Sequence, residues 1–211
     1  MKRKEIRQKY YEFVISRKKT PACLNQFLSY AGIKKKIFKK KYRCLNEVEA
    51  DIWKKGLREA LESLKISAEF AGYTCRDKGL AMLYTWFDYM DLNRKFFKRS
   101  KFMTCPPMMS ICHLSPFKKE SKKFIKSVIK QGFGTKEFKD RSIPPKYLAD
   151  FFWSIFYMNL KGWKSKKGKK VSREEWMDAM VEKSMVFFFD SLAPNLFDSF
   201  FDMLKHSRPK K

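Results

Sequence analysis

Apolar residues recur at helical spacing along most of the chain. In residues 5–16, Ile6, Tyr10, Phe13 and Val14 fall at positions i, i+4, i+7 and i+8, on one face of a helix whose opposite face is charged. We find no stretch in which apolar and polar residues alternate with the period of two that a half-buried strand requires. The chain also has only eight Gly and eight Pro among 211 residues, which is low for a turn-rich β protein. The pattern therefore predicts an all-α fold.

Two further short helices are predicted after the first. Thr20 is the expected N-cap of the second helix, because Pro21 at the first helical position needs no hydrogen-bond partner for its nitrogen. This helix is expected to end at Gly32, since glycine most readily adopts the left-handed conformation of a helix exit. The third helix is predicted over residues 33–42, with three apolar side chains turned inward: Ile33, Ile37 and Phe38.

Capping signals predict where the later helices begin. Asn46 is the expected cap of a long helix, and residues 74–77 (Thr-Cys-Arg-Asp) and 172–175 (Ser-Arg-Glu-Glu) have the composition of capping boxes. Prolines mark the remaining starts. The expected order is a loop over 104–116, helices from Pro116 and Pro145, a loop over 161–171, and a last helix from Pro194.

The composition is basic and aromatic at the same time. There are 48 Lys and Arg against 22 Asp and Glu, a formal charge of +26, and 17% of the residues are aromatic. A chain with this aromatic content can bury a core, which excludes a disordered basic tail. The first 50 residues hold 15 of the basic and only four of the acidic side chains. A polyanionic partner is therefore expected to contact mainly the N-terminal region.

The N-terminal charge falls on the third predicted helix. Three short helices, with the last two joined by a tight turn at Ala31-Gly32-Ile33, have the arrangement of a helix-turn-helix unit, whose third helix lies in the major groove of DNA. Like charges on neighbouring turns destabilise an isolated helix, and DNA phosphates would remove that repulsion. The exposed positions are all lysine: Lys34, Lys35, Lys36, Lys39, Lys40 and Lys41. The spacing predicts binding to double-stranded DNA, and a merely solvated helix face is the alternative.

These features resemble the N-terminal pattern of the tetracycline-repressor (TetR) family of bacterial transcriptional regulators. That pattern is an amphipathic helix, a second helix opened by Thr20, the Ala31-Gly32-Ile33 turn, a recognition helix that closes with Tyr42, and a charged long helix. Residues 178–184 (Asp-Ala-Met-Val-Glu-Lys-Ser) are similar to the penultimate helix of a subgroup associated with Bacteroidetes. The resemblance follows the order of helices over nearly the whole chain.

The resemblance implies an all-α homodimer with three regions in each chain. They are a DNA-binding helix-turn-helix domain at residues 1–46, a helical ligand-binding and dimerisation domain at 47–205, and a basic tail at 206–211. The implied DNA contacts are Thr20, Tyr42 and the six lysines of the third helix.

The recognition helix departs from the family pattern in two places. Small or polar residues usually open this helix and a Tyr stands at the position of Lys39, whereas this chain has lysine at both places. Lysine contacts mainly phosphate, while Arg, Asn and Gln suit base edges better. Strong general affinity with modest sequence discrimination is therefore expected, with Lys34, Lys35 and Lys40 as candidates for contacts to guanine.

The resemblance also implies an apolar effector and a dimer interface in the C-terminal helices. The candidate effector contacts are aromatic and thioether side chains: Trp86, Tyr89, Met90, Phe102, Met103, Trp153, Phe156 and Tyr157. For each of them, packing in the core is the alternative, because aromatics at helical spacing usually pack. The candidate dimer contacts, which an isologous dimer would bury, are Phe151, Ile155, Met158, Met177, Met180, Ser184, Phe187 and Phe188.

No catalytic or cofactor-binding motif is present in the sequence. The chain has two His and no nucleophile–base or nucleotide-binding pattern, so we expect neither an enzyme nor a cofactor. Cys105, Cys112 and His113 do not have the spacing of a zinc site and lack a fourth ligand nearby, so no metal is predicted.

Five scattered Cys predict no disulfide framework. The chain opens on charged residues with no signal-like apolar run, which predicts a cytoplasmic protein.

The sequence thus favours a homodimeric DNA-binding transcriptional regulator, a repressor that responds to a ligand. Two alternatives remain at this stage. One is a protein of TetR-like fold that binds lipid or an anionic membrane surface, for which the lysines of residues 161–170 are the motive. The other is a nonspecific, nucleoid-type DNA-binding protein.

Overall fold

The structure, a computed structural model, describes residues 1–104, 114–140, 143–165 and 172–193. Several predictions concern residues outside these ranges. They concern Cys105, Cys112 and His113, for which no metal is predicted, much of the two predicted loops, the last helix from Pro194 and the basic tail at 206–211.

The described chain is helical and none of its residues lies in a strand, so the all-α prediction is confirmed. The helices are α1 (Arg3–Arg17), α2 (Leu24–Ala31), α3 (Lys35–Lys39), α4 (Leu45–Ile66), α5 (Cys75–Leu92), α6 (Arg94–Phe97), α7 (Lys101–Thr104), α8 (Ser115–Gly134), α9 (Pro145–Ser165), α10 (Arg173–Trp176) and α11 (Lys183–Asp190). A 3-10 turn at Ala68–Gly72 follows α4, and a π-helical turn at Met177–Glu182 joins α10 to α11.

Two predicted N-caps were wrong, and in each case a side chain inside the helix bonds to the backbone before it. The cap of α2 is Cys23 instead of Thr20, because Pro21 is buried and the Ala22 N–H donates to Gln26 Oε1 at 2.8 Å. The cap of α4 is Cys44 instead of Asn46, and the Arg43 N–H donates to Glu47 Oε2 at 2.7 Å. Both helices therefore start next to a cysteine in extended conformation.

Other local predictions are confirmed. Gly32 has a φ of 64° in the left-handed region, and α2 ends there. Both capping boxes form: the Asp77 N–H donates to Thr74 Oγ1 at 3.1 Å, and the Glu175 N–H donates to Ser172 Oγ at 3.1 Å. One predicted loop was wrong in part, because α9 continues to Ser165 and thereby buries Trp163.

The chain divides into two compact units by packing. Unit 1 comprises residues 1–67 and 85–121, and unit 2 comprises the described residues of 68–84 and 122–211. In unit 1, the first three helices pack around Phe27. Its ring meets Tyr10 at 5.6 Å, Phe13 at 6.4 Å and Phe38 at 6.2 Å, all edge to face. All four rings are buried, so α3 is held by an aromatic core.

A buried carboxylate joins α1 and α4 to the segment around α7. Glu49 on α4 is 4% exposed and accepts hydrogen bonds from the Tyr10 hydroxyl at 2.9 Å, from Ser100 Oγ and from the Phe102 N–H at 3.2 Å. The Trp53 indole N–H donates to Ser100 Oγ at 3.0 Å. Burial first, and then the charge of Glu49, raise the pKa of Tyr10. Tyr10 therefore stays a neutral donor at physiological pH.

Unit 2 is closed by aromatic contacts between helices that are distant in sequence. The Phe188 ring lies 5.5 Å from Phe152, and Phe189 stacks on Phe138 at 5.7 Å. The Glu137 carboxylate accepts the backbone N–H groups of Cys75 at 2.8 Å and Arg76 at 3.0 Å, which satisfies the first turn of α5. Packing and capping thus connect α5 to α11 and to the residues after α8.

Gly79→Ala is expected to lower the free energy of unfolding by about 1–3 kcal/mol. An added Cβ would lie 2.3 Å from Phe189 Cζ, so α5 or the Phe189 ring must move. Without this contact, alanine would stabilise the helix by about 1 kcal/mol. Urea unfolding measures the difference, with Gly134→Ala as control because nothing lies within 4 Å of its Cβ. A Gly79→Ala variant as stable as the wild type would contradict the packing described here.

Candidate nucleic-acid interface

The third helix presents a lysine surface and is anchored from one side only. The Phe38 N–H donates to Lys34 O at 3.2 Å and the Tyr42 N–H to Phe38 O at 2.9 Å, so helical hydrogen bonding extends beyond Lys35–Lys39. All six lysines predicted to contact DNA are exposed: Lys34, Lys35, Lys36, Lys39, Lys40 and Lys41. The structure therefore brings these predicted residues together on one short helix.

Ile37 is not in the core, so its predicted inward orientation was wrong. Its side chain is 39% exposed, whereas Phe38 is fully buried and Ile33 nearly so. Successive helical residues point about 100° apart, and Phe38 occupies the direction that faces Phe27. An exposed isoleucine consequently lies among the lysines of α3.

Tyr42 has a supporting position instead of an exposed one. It is buried, and its hydroxyl donates to Asp51 Oδ2 on α4 at 2.6 Å. The guanidinium carbon of Arg3 lies 5.0 Å from the centre of its ring, within the range of a cation–π contact. Tyr42 thus fixes the end of α3 against α4, and Thr20 lies half-buried before α2.

Asp51 is the acceptor on which this support depends. The same Oδ2 atom accepts a hydrogen bond from Arg7 Nη1 at 2.7 Å, so α1, α3 and α4 meet at one carboxylate. Burial opposes its ionisation, but the hydrogen bonds from Tyr42 and Arg7 and the charges of Arg7 and Arg3 outweigh burial and hold the pKa of Asp51 below its usual range. Burial and the Asp51 charge raise the pKa of Tyr42.

A basic groove of about 780 Å³ runs beside α3 and the start of α4. Its lining includes six cationic side chains and two acidic ones: Arg3, Lys39, Lys40, Lys41, Arg43, Lys54, Glu47 and Asp51. The groove lies within unit 1. Its wall provides the positive potential that attracts a polyanion.

The predicted effector contacts lie in both units. Trp86, Met90, Phe102 and Met103 are buried in unit 1, where Trp86 stacks on Tyr89 at 5.6 Å and the Tyr89 hydroxyl donates to Glu59 at 3.0 Å. Trp153, Phe156 and Tyr157 belong to unit 2, and the first two are buried. Among the described residues, the buried indole N–H of Trp86 has no hydrogen-bond acceptor.

The predicted dimer contacts fall into two groups within unit 2. Ile155, Met177 and Phe188 are buried in its core, and Ser184 accepts a hydrogen bond from Asn159 at 2.9 Å. The others are exposed: Phe151, Met158, Met180 and Phe187. Tyr147, which was not among the predicted contacts, is 61% exposed and precedes Phe151 by one helical turn.

Comparison with known proteins identifies the family. Residues 78–206 match the family model described as "Tetracyclin repressor-like, C-terminal domain". The chain belongs to the TetR family. No curated protein matches it in sequence. The TetR match covers the C-terminal helices, whereas the lysine surface lies in the N-terminal ones.

Solved structures show the same TetR fold at low sequence identity. One, described as a TetR-family transcriptional regulator from Syntrophomonas wolfei, is 11% identical, with a TM-score of 0.66 over 88% of this chain and 94% of its own. Another, from Shewanella sp. PV-4, is 14% identical, with a TM-score of 0.60 over 92% and 100%. A structure described as a fatty acid metabolism regulator from Clostridium perfringens is 12% identical, with a TM-score of 0.54 over 90% and 100%.

Two other kinds of site are absent from the described ranges. No group of three His, Cys, Asp or Glu side chains is placed to hold a metal ion there. In the same residues, no helix combines the length and the hydropathy needed to cross a bilayer.

Asp51→Asn is expected to reduce the free energy of unfolding at pH 7 by about 1–3 kcal/mol, because Arg7 and Tyr42 lose a charged acceptor. The native pKa of Asp51 is depressed, so its contribution is complete above its unfolded pKa of about 3.9 and is lost as pH falls through the lower native pKa. The variant and the wild type should therefore begin to converge below about pH 4 and coincide only below the native pKa of Asp51. Urea unfolding of both proteins from neutral to acidic pH measures the difference in their free energies of unfolding.

The control for Asp51→Asn is Asp178→Asn, at an exposed carboxylate in unit 2. It should show no comparable difference from the wild type at either end of the pH range. A difference between Asp51→Asn and the wild type that stays constant from neutral to acidic pH would contradict the role given to the ionised carboxylate.

Proposed function

We propose that this TetR-family protein is a DNA-binding transcriptional repressor that acts as a homodimer and is released from DNA by an apolar effector. Residues 1–46 bind DNA, and residues 47–205 form the dimer and hold the effector. The lysines of α3, Thr20 and the support from Tyr42 carry the DNA contact. The exposed lysine surface of α3 is the observation on which the proposal depends.

The anchoring of α3 supports this function. Phe38 and Tyr42 hold the helix from one side, so its lysines project together from a fixed backbone. Six ammonium groups on about two turns repel one another in free protein. Phosphates neutralise them and release counterions, which gives a strong and salt-dependent affinity. The basic groove beside α3 extends the same potential along the start of α4.

The homodimer is supported by an exposed apolar face of unit 2. On α9, Tyr147, Phe151 and Met158 lie at i, i+4 and i+11, and they are 61%, 38% and 65% exposed. On the following helical segment, Met180 and Phe187 lie at i and i+7, and Phe187 is 63% exposed. Phe151 and Phe187 are 6.0 Å apart, so the two rows form one patch. An isologous contact between two copies would cover it.

The effector proposal is supported by the buried aromatic and thioether groups. Trp86, Met90, Phe102 and Met103 form an apolar environment in unit 1, and the Trp86 indole N–H has no acceptor among the described residues. A buried donor without a partner costs about 1–3 kcal/mol. An apolar molecule that carries one hydrogen-bond acceptor would satisfy it. Trp153, Phe156 and Tyr157 are the candidate contacts in unit 2.

The double charge reversal Lys36→Glu/Lys40→Glu is expected to abolish DNA binding. The wild type should prefer a duplex from its own upstream region over a scrambled duplex, and its affinity should fall steeply between about 50 and 300 mM salt. Fluorescence anisotropy with both duplexes measures affinity and its salt slope. Retained DNA affinity in the variant would contradict the assignment of α3 as the helix that contacts DNA.

The matched control changes the same charge elsewhere. Lys123→Glu/Lys130→Glu reverses two exposed lysines of α8 and should leave DNA binding within about twofold. Vesicle binding by Lys36→Glu/Lys40→Glu and the comparison of the two duplexes test the two other hypotheses. A lipid-binding protein would bind vesicles containing phosphatidylserine with unchanged affinity after Lys36→Glu/Lys40→Glu. A nucleoid-type protein would bind the two duplexes equally at every salt concentration.

Phe187→Glu is expected to convert the homodimer to a folded monomer, because a carboxylate would be buried at the centre of the apolar patch. Analytical ultracentrifugation at micromolar concentration measures the mass. Ile66→Glu is the control, since Ile66 is an 83% exposed apolar residue outside the patch. A wild type that sediments as a monomer, or a Phe187→Glu variant that remains dimeric, would contradict the interface.

A further inference from the structure

Ile37 is the apolar exception on the lysine surface of α3. Of the positions from Lys34 to Lys41, Phe38 faces the core, six are exposed lysines, and Ile37 is 39% exposed. On a helix, the residues three before, three after and four after Ile37 are its neighbours on the same face. These are Lys34, Lys40 and Lys41, all exposed. A branched apolar side chain thus has exposed lysines at three neighbouring positions of the same face.

The position is not needed to hold the helix. Phe38 packs against Phe27 at 6.2 Å, and Tyr42 bonds to Asp51 at 2.6 Å, so α3 is anchored without Ile37. Isoleucine is also not a residue favoured at an exposed helical position, since its branched Cβ lowers helix propensity. The exposed part of the Ile37 side chain is explained neither by core packing nor by helix formation.

The surface of DNA offers one apolar group in the groove that a helix can enter. In the major groove, each base pair presents hydrogen-bond donors and acceptors, and thymine alone adds a C5-methyl group. Lysine neighbours would hold the helix against phosphates, which brings Ile37 towards the floor of the groove. Contact with a methyl group would remove the exposed apolar surface of Ile37 from water.

We propose that Ile37 contacts a thymine C5-methyl group in the major groove and gives this chain a preference for thymine at one position of each half-site. The inference rests on the proposed function, because it requires α3 to enter the major groove. It assigns sequence discrimination to an apolar side chain, while the lysines supply affinity that depends little on sequence.

Replacement of thymine by deoxyuracil tests the methyl contact directly. Duplexes selected from a random library by the full-length wild type are amplified as one pool with thymine and as another with deoxyuracil, which lacks only the methyl group. The wild type is expected to bind the deoxyuracil pool at least threefold more weakly. Ile37→Ala is expected to bind both pools equally, with an affinity near that of the wild type for the deoxyuracil pool. Thermal unfolding checks that Ile37→Ala remains folded.

The outcomes separate this inference from the function on which it rests. Equal binding of the wild type to both pools, or a thymine preference that survives in Ile37→Ala, would overturn the role of Ile37 while leaving DNA binding intact. A wild type that binds neither pool would overturn the proposed function, and the inference with it. Lys36→Glu/Lys40→Glu should bind neither pool, which shows that the measured signal comes from α3.

Discussion

The packing of unit 1 depends on hydrogen bonds to one buried carboxylate. Glu49 lies within α4, and a charge in this position is tolerated only when hydrogen bonds replace its hydration. Its three donors come from α1 and from the segment around α7, so the requirement holds distant parts of the sequence together. Removal of any donor leaves part of the carboxylate unsatisfied. The large aromatic core around Trp53 forms against α4 in the same place, with Phe97 at 4.8 Å and Phe102 at 4.9 Å.

Asp51, two residues further along α4, plays a similar part at the edge of the same unit. Asp51 accepts hydrogen bonds from Arg7 of α1 and from Tyr42 at the end of α3. One carboxylate therefore fixes both helices against α4. This arrangement suits a helix that carries many like charges. Repulsion acts among exposed lysine side chains, while the backbone is held by the aromatic core and the carboxylate.

Some local features were predictable from the sequence, although the N-caps of α2 and α4 were not, and long-range partners were not predictable. The exit at Gly32 and the capping boxes at residues 74–77 and 172–175 depend on neighbours within four positions, so their residue types suffice. The partners of Glu49 and Asp51 lie 39 to 53 and 9 to 44 positions away, and no pattern in the sequence indicates them. Ile37 was misplaced for a related reason. Hydrophobicity indicates burial in general, but only the packing of Phe38 on Phe27 decides which of two adjacent apolar residues is inside.

The π-helical turn at Met177–Glu182 determines which residues of α11 face the core. Such a turn accommodates one residue more than an α-helical turn, and one residue corresponds to about 100° of rotation. The surplus residue therefore determines that Phe188 is fully buried while Phe187 is 63% exposed. Loss of one residue from this turn would rotate α11 by about 100°. Buried side chains of α11 would then face solvent and exposed ones would face the core, although the sequence of α11 is unchanged. Natural variation in the length of this segment should accordingly be constrained more tightly than variation in its composition.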